Sequence, residues 1–295
     1  MPGVVRKAVI PVAGLGTRML PVTKSQPKEM LPVGRKPAVQ YIVEELERDG
    51  VNQILMVTGR KKTSIEDHFD QDPDLRRYLM ESGSADLAEE MHYADSETTF
   101  FYTRQSTPRG NGDAVRLGQD FVGNEPFFVA FGDSIIAGPA KQHLLSRMVT
   151  ALVDTRAAAV LAVEEVAPED AYKYGVVEPK QGVGDQFEIV DLVEKPPAGS
   201  APSNLAIAAR YLFTPEVFAA IDATMPGRGG EVWLADSIRV LLKHGATVCC
   251  VRLGPGEQRY DIGNFETYYK AFVDFALADE RYGYLLRQHL QKRLG

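Results

Sequence analysis

The chain has 295 residues, enough to bury a substantial core as one large α/β unit or as two small ones. Its 44% hydrophobic and 25% charged content is that of an ordinary globular protein, and its net charge of −7 argues against a general nucleic-acid binder. No stretch approaches the roughly 18 apolar residues of a membrane span, so neither nucleic acid nor membrane is an expected partner.

Ala8 to Ala13 reads as a first buried strand that breaks at Gly14-Leu15-Gly16. Arg18, Lys24 and Lys28 follow within eleven residues. A strand entering a glycine turn followed by cations suits phosphate, because glycines let backbone N–H groups approach oxygen and the cations neutralise it. It is neither of the two commonest phosphate motifs. The dinucleotide fingerprint needs a third glycine where Met19 stands, and the P-loop needs Gly-Lys-Ser/Thr. Arg35 and Lys36 extend the local positive charge, a pattern that fits a small anionic substrate better than a polyanion.

Val39, Ile42, Val43 and Leu46 give residues 37–49 a helical period that Gly50 stops. Residues 53–58 read as a second buried strand and 63–69 as a short helix, an order that predicts a parallel sheet with helices on its faces. The polar stretch 70–97 reads as a surface excursion with helices over 75–83 and part of 85–93. A strand over 99–104, a turn over 108–112 and a helix over 114–121 follow. Next come an apolar strand over 126–131, a helix over 141–155 and a strand over 158–163. Beyond about residue 166 the pattern predicts short strands at 174–178 and 188–194, a strand at 205–213, helices at 215–221 and 234–244, and a strand at 247–253. Residues 265–294 read as two helices broken near Tyr282-Gly283. Their stripe of Tyr282, Tyr284, Leu285, Leu286 and Leu290 suits either a surface helix closing the domain or a subunit contact.

In open α/β sheets ligands bind beyond the carboxyl ends of the strands. That rule selects Gly14 to Arg18, Gln105 with Gly110, Asp133, and Glu194 with Lys195. They comprise a phosphate loop, an amide able to read a base edge, a carboxylate for a metal and an acid–base pair. Asp133 is also read as a turn former, and Asp261 as an N-cap for the helix after it. Two such aspartates beside a phosphate loop suit Mg²⁺, which takes one or two carboxylates plus substrate phosphates. Lys195 sits before Pro196, placed to hold a substrate phosphate, with a surface salt bridge to Glu194 as the plainer reading. The five histidines are widely separated, so they read as structural, and Trp233 reads as packing. Cys249 and Cys250 are neighbours on a strand and point to opposite faces, so they are expected as reduced core thiols. With a short, proline-containing N-terminal run that makes no signal peptide, they point to the cytoplasm.

With these residues in place, the chain resembles the bacterial UTP–glucose-1-phosphate uridylyltransferases of the sugar-1-phosphate nucleotidyltransferase superfamily. The resemblance runs from about residue 6 to 273. It is carried most specifically by Ala13-Gly14-Leu15-Gly16-Thr17-Arg18 with Thr23-Lys24-Ser25-Gln26-Pro27-Lys28-Glu29-Met30, and by Val193-Glu194-Lys195-Pro196 with Arg210-Tyr211. Tyr174-Gly175-Val176-Val177 and Gly229-Gly230-Glu231 also fit. The resemblance implies a Rossmann-like, mostly parallel central sheet flanked by helices, with a smaller sugar-binding β subregion and a C-terminal helical tail. A nucleotide-binding half would span about 5–165, a sugar-binding half about 166–273 and the tail 274–295.

The roles it implies are specific. Ala13, Gly14, Gly16, Thr17 and Arg18 would hold the nucleotide and its phosphates, and Gln105 and Gly110 would read the uracil edge. Asp133 and Asp261 would hold Mg²⁺. Gly175 and Glu194 would take the glucose hydroxyls and Lys195 the sugar phosphate. Arg18, Lys28 and Lys195 would be the catalytic cations for transfer of a uridylyl group from UTP to glucose 1-phosphate in a homo-oligomer, a dimer or tetramer. Three segments depart from the family pattern. They are Asp133-Ser134 where two aspartates are usual, Arg109-Gly110-Asn111-Gly112-Asp113-Ala114 where Leu-Gly-Leu-Gly-His-Ala is usual, and Asp261-Ile262-Gly263-Asn264-Phe265 where Asp-Cys-Gly-Ser-Lys is usual. They keep two alternatives in view: a glucose-1-phosphate thymidylyltransferase, and a catalytically weak regulatory homologue that binds sugar nucleotide.

Overall fold

The structure is a computed structural model that describes residues 5–91, 93, 96–139 and 143–294. The chain opens with strand β1 (Lys7–Pro11), whose Ala8, Val9 and Ile10 are all buried. Three single 3-10 turns carry it through residues 17–30 to a small hairpin, β2 (Pro32–Val33) and β3 (Lys36–Pro37). Helix α1 (Ala38–Arg48) buries Val39, Ile42, Val43 and Leu46, the residues that set its sequence period. β4 (Gln53–Thr58), α2 (Thr63–Phe69), α3 (Pro73–Glu81), α4 (Ala85–Glu90) and β5 (Thr99–Arg104) follow. The helix expected over 114–121 is two short ones, α5 (Asn111–Arg116) and α6 (Gln119–Val122), broken at Gly118. After β6 (Phe127–Ala130) the chain forms β7 (Ser134–Ala137) and α7 (Leu144–Thr155). Residues 141 and 142 of the helix expected there lie outside the described residues, as does His92.

The remaining elements are β8 (Ala159–Glu165), β9 (Gly175–Pro179), β10 (Gln186–Glu194), β11 (Leu205–Phe213), α8 (Glu216–Asp222), α9 (Leu234–Lys243), β12 (Val248–Arg252) and β13 (Gln258–Asp261). Helices α10 (Phe265–Ala278) and α11 (Gly283–Leu294) end the chain. No helix among the described residues is long and apolar enough to cross a membrane.

Among the described residues the main sheet has nine strands in the order β5-β4-β1-β6-β11-β8-β12-β10-β9. β5, β4, β1 and β6 run parallel, so the residues that follow β1, β5 and β6 meet on one rim, as the sequence predicts. β11 then enters antiparallel to both β6 and β8, so strands from either side of residue 165 alternate in one sheet. β12 pairs parallel with β8, β10 antiparallel with β12, and β9 antiparallel with β10. Following these pairings, β10 runs against β1, so the carboxyl-end rule does not by itself bring Glu194 to the rim. A register shift in β10 between Ile189 and Asp191 and a further pairing of β9 with β11, Ala206 opposite Val176, bend this half of the sheet back on itself. β8, β12, β10, β9 and β11 thereby close into a ring.

The sheet separates two apolar layers. One face packs against α5, α6, α8 and α9, and the other against α1, α2 and α7. Cys250 belongs to the first layer and Cys249 to the second, as expected of neighbours on a strand. A third cluster, with Val33, Ile135, Ile262 and Ala271, seats α10 on the small β7–β13 sheet. That pairing, Ser134 opposite Asp261, has no sequence signal, because Gln258-Arg259-Tyr260-Asp261 shows no apolar alternation and its partner lies more than a hundred residues earlier.

Candidate active site

On the rim of the parallel strands lies a cavity of about 410 Å³. It is walled by Ala13, Gly14, Gly16 and Thr17 after β1, Gln105 after β5, Gly110, and Lys28 with Asp133. Thr23 buttresses the glycine loop, its hydroxyl donating to the Gly16 carbonyl at 2.8 Å. A second cavity of about 210 Å³ continues from the first and brings in Lys24, Arg60, Lys61 and Lys62. The local positive charge seen in the sequence is therefore augmented by a second basic segment after β4.

Lys28 donates to Asp133 Oδ2, with only 14% and 21% of the two side chains exposed. Burial works to lower the Lys28 pKa, but the carboxylates of Asp133, Glu29 and Asp261 outweigh it and hold it above its ordinary value. Burial pushes Asp133 up, and Lys28, with Arg18 farther off, more than offsets this and holds it below the usual carboxylate range. Both groups are thus charged at neutral pH. Asp261 is tied to the same corner, since the Ile262 N–H donates to the Asp133 carbonyl at 3.0 Å. Asp261 Oδ1 accepts from the Gly263 N–H at 2.7 Å, and the cap of α10 falls instead to Asn264, whose side chain accepts from Thr267. The Arg18 guanidinium lies against Gly263 beside Asp261.

Gln105 and Gly110 meet directly, the amide Nε2 donating to the Gly110 carbonyl at 3.0 Å and to Asp113 Oδ2 at 2.7 Å. Gly110 has φ of +96°, and a Cβ there would stand 2.3 Å from the Val232 carbonyl, so only glycine fits. The segment that departs from the family pattern is stitched to residues 231–234. Val232 N donates to Arg109 O at 2.7 Å, Gly112 N to Val232 O at 2.9 Å, and Leu234 N to Asn111 Oδ1 at 2.8 Å. Asn111 therefore supplies the acceptor that the first turn of α9 lacks from its own N-cap, Trp233.

Gly175, Glu194 and Lys195 form a separate group, outside the lining of both cavities. Gly175 pairs with Glu194 across β9 and β10, and a Cβ at Gly175 would stand 2.9 Å from Glu194 Oε2. Burial raises the Glu194 pKa, with Lys195 pulling it down and Asp236 adding to the rise. Lys195, at φ of +47°, lies 3.7 Å from Glu194, and its ammonium sits 4.6 Å from the centre of the Trp233 ring. Trp233 is thus the face against which Lys195 rests, beyond simple packing. The group adjoins the cavity through Tyr211, which is electrostatically coupled to Glu194 and whose ring lies 5.4 Å from that of Phe131 in the cavity wall. Asp261 itself lines neither of the two cavities but a larger one of about 790 Å³, walled also by Glu164, Tyr174 and Arg259.

Three contributors escape sequence reading. Glu29 is buried beneath Lys28 and accepts from Lys62 at 2.8 Å; burial pushes Glu29 up and Lys62 down, each against the pull of the other. Arg259 is paired with Glu164 and lies over the Tyr174 ring. Asp113 holds the Gln105 amide. None of these pairings has a sequence signal, because each joins separate segments that only the fold brings together.

A metal fits this donor set only in one way. Asp133 and Asp261 offer oxygen alone, and no group of three or more His, Cys, Asp or Glu side chains able to hold an ion occurs among the described residues. Two carboxylates suit a hard cation whose shell is completed by ligand oxygens and waters, the habit of Mg²⁺.

Comparison with known proteins places this geometry in context. Residues 7–277 match the family model described as nucleotidyl transferase. The chain is 41% identical to a UTP–glucose-1-phosphate uridylyltransferase of Bacillus subtilis (strain 168) over 278 residues, which cover 94% of this chain and 92% of the relative. A UTP-bound UGPase from Acinetobacter baumannii superposes with a TM-score of 0.89 at 34% identity, covering 97% of this chain and 99% of that one. A UDP-glucose pyrophosphorylase complexed with UDP-glucose gives a TM-score of 0.84 at 34% identity, covering 93% and 100% of the two chains.

Proposed function

The chain belongs to the nucleotidyl transferase family, and from that premise we propose that it transfers the uridylyl group of UTP to α-D-glucose 1-phosphate, forming UDP-glucose and pyrophosphate. The observation that carries the reading is the cavity in which a glycine loop, the charged Lys28–Asp133 pair and the Gln105 amide converge. Relatives of the same length named for UTP–glucose-1-phosphate uridylyl transfer support UTP over dTTP.

A phosphate oxygen of glucose 1-phosphate attacks the α-phosphorus in line, and the bond to the β-phosphate oxygen breaks with its electrons leaving on pyrophosphate. The attacking oxygen is already anionic, so no protein nucleophile or base is required. The barrier is repulsion between two polyanions together with misalignment. Ala13, Gly14, Gly16, Thr17 and Arg18 hold the triphosphate, and Lys28 faces the phosphorus under attack. Gln105 and Gly110 read the uracil edge. Lys195 holds the sugar phosphate, and Gly175 with Glu194 holds the glucose hydroxyls. Asp133 and Asp261 would hold Mg²⁺, which would supply further positive charge to the reaction.

In this reading residues of about 5–165 serve the nucleotide, about 166–273 the sugar, and 274–295 form a tail. The protein works in the cytoplasm, where its two buried free thiols remain reduced. It assembles as a dimer or tetramer through α11, whose Tyr284 and Leu285 are exposed; a monomer in sedimentation velocity would remove this assignment. Pyrophosphate release is the test of function, measured with UTP, dTTP, CTP and GTP against glucose 1-phosphate and Mg²⁺. The expected result is turnover with a clear preference for UTP. A dTTP preference would change the nucleotide, and no release above background would leave only a binding homologue.

A further inference from the structure

We propose that Asp113 is the positioning residue that sets base selectivity, by locking the Gln105 amide with its oxygen free for the base. The inference rests on the uridylyltransferase reading and concerns which base the site accepts. The Gln105 side chain is almost wholly buried, and its backbone N–H donates to Thr58 O at 2.9 Å, so the residue enters the cavity from a fixed position at the end of β5. Its Nε2 has two partners, the Gly110 carbonyl at 3.0 Å and Asp113 Oδ2 at 2.7 Å. Both are acceptors, so only the nitrogen end of the amide can face them. Rotating the amide by half a turn would lose both bonds and set Oε1 against a carbonyl oxygen and a carboxylate.

The two partners are themselves held. Gly110 is fixed by its left-handed backbone against Val232. Asp113 lies in the first turn of α5, and its other oxygen, Oδ1, is 3.6 Å from Arg116. Among the described residues no group donates to Gln105 Oε1, and Gln105 lines both the 410 Å³ and the 210 Å³ cavities. The amide is therefore presented as an acceptor. Uracil offers a ring N–H at N3, which this oxygen can receive, whereas cytosine offers a lone pair at the same place. Gly110 opposes that turn with one neutral carbonyl alone, whereas the Asp113 carboxylate adds the shorter, charge-assisted bond and the stronger repulsion of a turned amide oxygen. Asp113 thus converts an amide that suits either pyrimidine into one that suits uracil.

The test compares wild type with Asp113→Leu and Asp113→Asn, measuring UTP and CTP affinity by calorimetry and pyrophosphate release with glucose 1-phosphate. The Leu variant should lose roughly tenfold or more of the UTP-over-CTP affinity ratio, the scale of one misdirected hydrogen bond. The Asn variant, which keeps an acceptor, should recover most of it. A merely structural role would weaken both nucleotides together and leave the ratio unchanged, which would overturn the proposal. A wild type without UTP preference over CTP would overturn it as well. Should Asp113→Leu not fold, Asp113→Ala carries the same expectation. Absence of turnover by a wild type that still prefers UTP in binding overturns the reaction assigned above and leaves this inference standing.

Discussion

At the scale of single residues, the site is organised by pairs in which burial and charge oppose one another. Lys28 and Asp133 are each desolvated, yet each stays charged because the other is in contact. Replacing Lys28 with Ala removes the cation proposed above to face the phosphorus under attack. Steady-state kinetics should show turnover reduced by roughly 10²–10³, the usual scale for one preorganised electrostatic contact, with the circular dichroism spectrum unchanged. Gly175 has a different kind of constraint. A methyl group there would stand 2.9 Å from Glu194 Oε2 and 3.2 Å from Ile207 Cδ1. The Glu194 carboxylate ends a flexible side chain and can move aside at little cost to the fold. Gly175→Ala should therefore raise KM for glucose 1-phosphate several-fold while changing KM for UTP and the melting temperature little.

At the scale of elements, segments distant in the chain are fastened together through polar contacts that the apolar period does not report. His68 on α2 donates from Nε2 to Gln40 of α1 at 3.1 Å and accepts at Nδ1 from Tyr93 at 3.2 Å, with its ring stacked on that tyrosine. The Gln40 oxygen can only accept, which puts the proton of the neutral ring on Nε2 and leaves Nδ1 to the Tyr93 hydroxyl. Burial lowers the His68 pKa from 6.5 to about 4, with Glu44 acting weakly in the other direction. Between these values the unfolded chain takes up a proton that the folded one refuses, so stability is lost as pH falls from 6.5 towards 4. Thermal melts across that window should show this slope in wild type and a flatter one in His68→Phe. The loop at 109–112 shows the same dependence on distant partners, because Asn111 serves α9 and Gly110 yields space to Val232.

At the scale of the whole molecule, β11 joins the parallel half of the sheet to the closed ring. All nine of its residues are buried, and among them Arg210 has no exposed surface. Its guanidinium donates to both carboxylate oxygens of Glu45 on α1, at 2.6 Å from Nη2 to Oε2 and at 3.3 Å from Nε to Oε1, and Nη1 donates to the Ala209 carbonyl at 3.1 Å. The pair fastens α1 to the strand that joins the parallel half of the sheet to the ring. Arg210→Met keeps the bulk but leaves Glu45 buried without its cation. Removing one partner of a buried pair should cost about 3–5 kcal/mol, read as a lower urea midpoint.

The glycine loop and Lys28, proposed to bind phosphate, share one cavity and were legible in the sequence because a glycine loop with its cations is a local pattern. Gly14 to Arg18, Gln105 and Asp133 each follow a strand, and parallel strands bring such residues to one rim without further instruction. The elements were legible for the same reason, since Val39 to Leu46 or Phe127 to Ala130 state their burial in their own spacing. What the sequence determined alone was therefore the reaction class and the parallel half of the sheet. Only the tertiary structure decided that Glu194 and Lys195 form a group of their own beside that cavity, because β10 runs against the parallel strands and pairs with β9 in the closed ring. It alone also decided which side chains serve each other, as Glu29 does Lys62, Asp113 does Gln105 and Glu45 does Arg210. The physical reason is that periodicity records burial against a layer, whereas a hydrogen bond between separate segments exists only once the chain has brought them together.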